Sequence, residues 1–75
     1  MKIEYKFVKA ADPGSEDDYY AIKLDGFDTD FGIQVSPNGK WFEPFVILAD
    51  GSSIFFDAQD TLDKAKRIIE TKMGQ

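Results

Sequence analysis

Residues 25 to 32 read DGFDTDFG, three aspartates within six positions with glycines close by at 26 and 32. Carboxylates so close together suggest a calcium loop, an acid–base pair or an acidic docking rim. A calcium loop needs oxygen ligands at alternate positions, a central glycine and a closing bidentate glutamate. After Asp30 no acid follows until Glu43, so the calcium pattern is not met. On a strand, Asp28 and Asp30 would share one face about 7 Å apart. Acid–base chemistry would also need a cleft and two carboxyls of opposed pKa, and a short flat sheet offers little cleft. The segment therefore reads as a turn at Asp25-Gly26 followed by a strand, with Asp28 and Asp30 on its solvent side.

The rest of the chain removes most other chemistry. There is no histidine, the commonest general base and metal ligand, and no cysteine, so neither nucleophile–histidine pairs nor zinc sites can be built. No GxGxxG or GxxxxGK[ST] motif occurs, and the glycines are assigned to turns and a helix end. SEDDYY has the look of a modification sequence, but such short patterns recur by chance. The expectation is a non-enzymatic protein with no cofactor and no metal.

These residues must be positioned by a chain of 75 residues, which sets the expectation of a single domain spanning 1–75. Aromatic content of 15% favours an independent core despite the small size. Net charge is −5, unevenly spread. Between Asp12 and Asp30 lie seven acids and one base, or −6; the remaining seven acids and eight bases sum to +1. Such a segment repels a phosphate backbone, which argues against direct nucleic-acid binding. No apolar run approaches the ~20 residues that span a bilayer, and MKIEYKFVK is no signal peptide, so a cytoplasmic location without membrane contact is expected.

Residues 2–8 alternate apolar and charged side chains, as a half-buried strand does. Residues 10–18, AADPGSEDD, read as a loop, and YYAIKL as a second strand. Asp25-Gly26 predicts a two-residue hairpin turn pairing Leu24 with Phe27, Ile22 with Thr29 and Tyr20 with Phe31. SPNGK predicts a three-residue turn with Ser36 opposite Lys40 and Val35 opposite Trp41. Pro44 removes a ladder donor and suggests an edge or a bulge. Asp50-Gly51 predicts a second two-residue turn, with Ile47 facing Ile54 and Phe45 facing Phe56. One sheet face would then hold Tyr20, Ile22, Leu24, Phe27, Phe31, Ile33 and Val35, together with Trp41, Phe45, Ile47, Ile54 and Phe56. A C-terminal helix capped by Asp60 supplies the cover, with Leu62, Ala65, Ile69 and Met73 at helical spacing. The basic residues Lys64, Lys66, Arg67 and Lys72 read as its solvated side. The fold class is α+β: an antiparallel β-meander of four to five strands with one C-terminal α-helix packed on one face.

One helix cannot cover both faces of a sheet. The predicted register leaves Phe42, Val46, Leu48 and Phe55 on the other face, with Tyr19 toward the far side and Asp28 and Asp30 at the rim. Either the first strand or the 10–18 loop folds over this face, or it is an exposed apolar patch, and exposed patches of this kind mark interfaces.

The element order resembles, in topology only, the sheet-reading DNA-binding domains of plant AP2 factors and phage integrase arms. Those domains read a groove with the sheet; here the corresponding face carries Asp28 and Asp30 and no arginine ladder, which excludes that function. At the level of class, small acidic histidine-free domains are similar to the inhibitors that phage and mobile elements direct at host defence or nucleic-acid-processing proteins. The expectation is a stoichiometric protein-binding module. Tyr19, Asp28, Asp30, Phe42, Val46 and Phe55 would form its contact face, and Glu16, Asp17 and Asp18 would add acidic charge suited to a partner's basic nucleic-acid groove. The alternative is a structural homodimer packed through the same face.

Overall fold

A computed structural model of the chain describes residues 2–9, 18–36 and 38–74. Five strands run β1 (Ile3–Val8), β2 (Tyr19–Leu24), β3 (Phe27–Val35), β4 (Phe42–Ile47) and β5 (Ser53–Phe55), followed by α1 (Leu62–Lys72). They form one antiparallel meander in chain order. The helix lies across β3 and β4. Ile22 and Ile33 from the sheet and Ala65 and Ile69 from α1 make the buried core, with Tyr5, Tyr20, Phe31, Phe42, Leu62 and Met73 packed around it. The α+β meander with a C-terminal helix on one face is therefore the observed fold.

The first hairpin turn forms as its residues dictate. Asp25 and Gly26 both take positive φ, 52° and 85°, the conformation a two-residue turn of this hand requires. Asp25 also ties down the start of β1: its N–H donates to the Lys2 carbonyl and its carboxylate accepts from the Lys2 N–H.

Beyond the turn the observed register departs from the expected one. Lys23 pairs with Asp28 as predicted, but Ala21 pairs with Gly32 and Tyr20 with Ile33. Three residues of β3 thus stand against Ile22 alone. Thr29 makes this bulge hold: its hydroxyl donates to the Ile22 carbonyl at 2.7 Å and accepts from the Phe31 N–H at 3.3 Å, replacing ladder bonds with side-chain bonds. A shift of two residues keeps each side chain on its face, so Tyr20, Ile22, Leu24, Phe31, Ile33 and Val35 stay on the helix side. Phe27 lies past the reach of α1 and is 77% exposed.

The next turn shifts the register by one, and one flips faces. Ser36 closes against Trp41 rather than Lys40: the Ser36 N–H donates to the Trp41 carbonyl, and Val35 pairs with Phe42. The extra loop residue is accommodated by side chains. The Ser36 hydroxyl accepts from the Trp41 N–H and donates to the Asn38 side-chain oxygen, which also accepts from the Lys40 N–H. As a result Phe42, Pro44 and Val46 turn toward the helix side, while Phe45 and Ile47 turn away from it. The expected placement of Phe42 and Val46 on the helix-free face, and of Phe45 and Ile47 under the helix, is reversed. Trp41, also expected under the helix, is about half exposed.

The β4–β5 turn contains three residues rather than two. The Gly51 N–H donates to the Leu48 carbonyl and the Leu48 N–H to that of Ser52. Only Gly51 takes positive φ, and Asp50 instead accepts from the Ser52 N–H and hydroxyl. Phe45 accordingly pairs with Phe55 and Val46 with Ile54. This second one-residue slip cancels the first for β5, so Phe55 lies on the helix-free side as expected.

Pro44 is buried in the middle of the sheet, not at an edge. Its carbonyl accepts from the Phe56 N–H, but it has no N–H to return, and the regular ladder ends there. Pairing resumes at Phe42 and Gln59, which exchange two bonds of 2.8 Å.

The helix is capped by Thr61, not Asp60. Thr61 has extended φ and ψ, and its hydroxyl accepts from the Lys64 N–H. Asp60 instead pairs with the Lys64 ammonium at 3.0 Å, which holds its carboxyl below the ordinary value. Gly74, with φ of 86°, ends the helix as predicted.

Tyr5 links the helix to β1. Its hydroxyl donates to Glu70 at 2.9 Å and the Lys66 ammonium lies 4.6 Å above its ring. Burial, followed by the bond to and charge of Glu70, pushes the Tyr5 pKa well above its ordinary 10.0. The fold favours the neutral phenol, so this contribution is complete below about pH 10 and is lost as the pH rises toward the folded pKa. Urea unfolding followed from pH 9 upward should show wild-type stability declining more steeply above pH 10 than that of Tyr5→Phe. Equal slopes would mean that the Tyr5–Glu70 bond does not persist in solution.

Candidate functional site

The helix-free face is organised by one cross-strand row: Lys6, Ala21, Gly32, Phe45 and Phe55, one residue from each strand. Small residues on β2 and β3 leave a trough, and large ones on β4 and β5 wall it. The Phe45 ring leans over Gly32: a Cβ built there would come within 2.8 Å of Phe45 Cε1. Gly32 is therefore in the middle of a strand because a ring occupies its side-chain space. Phe45 in turn packs against Phe55 with ring centroids 5.5 Å apart. Tyr19 and Ile47 border the same shallow depression, and Asp28 and Asp30 stand at its end beside the bulge.

Of the expected contact residues, Tyr19, Asp28, Asp30 and Phe55 are thus brought to one face, whereas Phe42 and Val46 are carried to the other. Asp28 is exposed and 3.7 Å from Lys23; Asp30 is exposed as well. Asp18 is half-buried just before β2, where its carbonyl accepts from the Val35 N–H. Glu16 and Asp17, with most of the expected 10–18 loop, lie outside the described residues. Gly32, Phe45 and Ile47 were not expected at the site. The signal for them was Gly32 itself, a glycine in the interior of a strand-like run rather than at a turn.

Phe55 is 49% exposed and Ile47 is exposed beside it, so the face presents aromatic and aliphatic surface next to two carboxylates. Among the described residues no three acidic side chains converge as a metal site would require, and no helix is long and apolar enough to cross a membrane. No protein-family model matches the chain, and no curated protein or solved structure proves similar to it.

Proposed function

We propose that this protein is a non-enzymatic binding module that acts by stoichiometric contact with another protein through the helix-free sheet face. The observation that carries the reading is Phe45 seated on Gly32 and packed against the half-exposed Phe55, on a face that no element among the described residues covers, with Asp28 and Asp30 beside it. Aromatic anchors supply affinity in such an interface, and neighbouring carboxylates select a partner with a basic rim. A protein with a basic nucleic-acid groove fits this chemistry, as would the target of a phage-type or mobile-element inhibitor.

The test is capture from host lysate with wild-type and variant baits, followed by binding kinetics on the protein retained. Phe45→Ala or Phe55→Ala should weaken binding by about 2 kcal/mol, mainly through faster dissociation. Neutralising Glu16, Asp17, Asp18, Asp28 and Asp30 together should slow association and remove its salt dependence. A partner whose affinity ignores both sets of changes would refute this reading. A dimer of the chain that Phe55→Lys abolishes would replace it with self-packing through the same face.

A further inference from the structure

The outer edge of β1 is unlike the other edge of the sheet. β5 has three residues, whereas β1 has six in unbroken register with β2. The Lys2 N–H and carbonyl both bond to Asp25. By strand alternation Glu4, Lys6 and Val8 also turn their backbone groups toward β2, which leaves those of Ile3, Tyr5 and Phe7 facing outward. Among the described residues no strand pairs with this edge, and α1 rests on β3 and β4, reaching β1 only through side chains.

An open edge of this length is a template for another strand. The side chains determine which strand it fits. A two-fold antiparallel pairing that engages at least two of these three outward residues of each copy with those of the other can centre on Glu4, Tyr5 or Lys6. Centred on Glu4, it opposes Glu4 to Glu4 and Lys2 to Lys6. Centred on Lys6, it opposes Lys6 to Lys6. Both place like charges directly across the ladder, which is destabilising. Centred on Tyr5, Glu4 of each copy faces Lys6 of the other, and Ile3 faces Phe7, a side chain that is half exposed in the single chain. Ile3, Tyr5 and Phe7 then exchange about six main-chain hydrogen bonds.

We propose that the protein self-associates edge to edge, with β1 of two copies paired antiparallel about a two-fold axis at Tyr5, joining two five-stranded sheets into one. Both helices then lie on one side of the joined sheet and both Phe45–Phe55 surfaces on the other. The self-complementary order Ile-Glu-Tyr-Lys-Phe is what selects a second copy over an unrelated strand.

Sedimentation of the full chain from micromolar to millimolar concentration tests this. Wild type should form a dimer, and Glu4→Lys and Lys6→Glu should each weaken it about tenfold or more, because each turns two attractive pairs repulsive. An equimolar mixture of the two variants should recover the dimer, since opposite charges then meet at both positions, and so should a chain carrying both changes. Recovery on mixing cannot come from unfolded variants. Phe55→Lys should leave the dimer intact, which separates this inference from packing through the helix-free face. A monomer throughout, a dimer that either charge reversal leaves unchanged, no recovery on mixing, or loss of the dimer on Phe55→Lys would each overturn it.

Discussion

Ile69→Ala should lower the unfolding free energy by about 3 kcal/mol, visible in urea as an earlier midpoint at unchanged slope. Ile69 is fully buried, and with Ala65 it joins α1 to Ile22 and Ile33 of the sheet. Truncation removes the transfer energy of its side chain and leaves a void that strands on one side and helix on the other cannot readily close. A chain of 75 residues has ~4–11 kcal/mol to lose at the usual stability per residue, so this one truncation removes roughly a quarter to three quarters of the total. Ile54 provides the contrast. It lies on the same side of the sheet but is 47% exposed, and Ile54→Ala should cost less than about 1 kcal/mol. Equal costs at the two positions would be incompatible with a helix centred over β3 and β4.

The elements themselves were legible because hydrophobic period and turn residues agree along most of the chain. Strict alternation in β1, Asp25-Gly26 between two β-favourable runs, and apolar residues at helical spacing from Leu62 to Met73 each have one simple structural solution. What was not legible is register, which depends on hydrogen bonds made by side chains in and beside the turns. Nothing in the order Ser-Pro-Asn-Gly-Lys announces that Ser36 and Asn38 will hold an extra residue by bonding the Trp41 and Lys40 amides. Asp-Gly occurs twice, and only the first copy places the aspartate at positive φ; the second uses its carboxylate to hold Ser52. In the bulge at Thr29 a hydroxyl competes with the ladder for the Ile22 carbonyl. A hairpin with both strands amphipathic would reveal such a slip by burying a charge. β4, reading Phe-Glu-Pro-Phe-Val-Ile, is apolar on both faces except at Glu43, so the two registers differ in sequence only by which face takes that one charge, the helix side in the expected register and the helix-free side in the observed one. That is why Phe42 and Val46 were expected where Phe45 and Ile47 stand. The acids were easier to place, since Asp28 and Asp30 have charged side chains that only a solvent-facing position satisfies.

Gly32→Val should destabilise the wild-type fold by about 2 kcal/mol, yet stabilise a chain that already carries Phe45→Ala by about 0.5 kcal/mol or more. The sign change follows from what occupies the glycine's side-chain space. All three atoms nearest to a Cβ at Gly32 belong to the Phe45 ring, and no backbone lies as close. With the ring present, a branched side chain must drive it off the sheet, away from its seat and out of contact with Phe55. With the ring removed, the position is an interior strand site open to solvent, where valine is preferred and glycine carries an entropic penalty. The two changes should therefore couple by about 2–3 kcal/mol in a double-mutant cycle, far beyond the few tenths found for independent sites. Additive effects would show that Phe45 does not rest on Gly32 in solution, and the aromatic surface proposed for partner binding would lose its foundation. The expected coupling would instead make Gly32→Ala a useful probe of function: a methyl group in the floor of the trough displaces the anchor ring without altering any charge, so a partner that recognises the seated ring should bind this variant more weakly at every salt concentration.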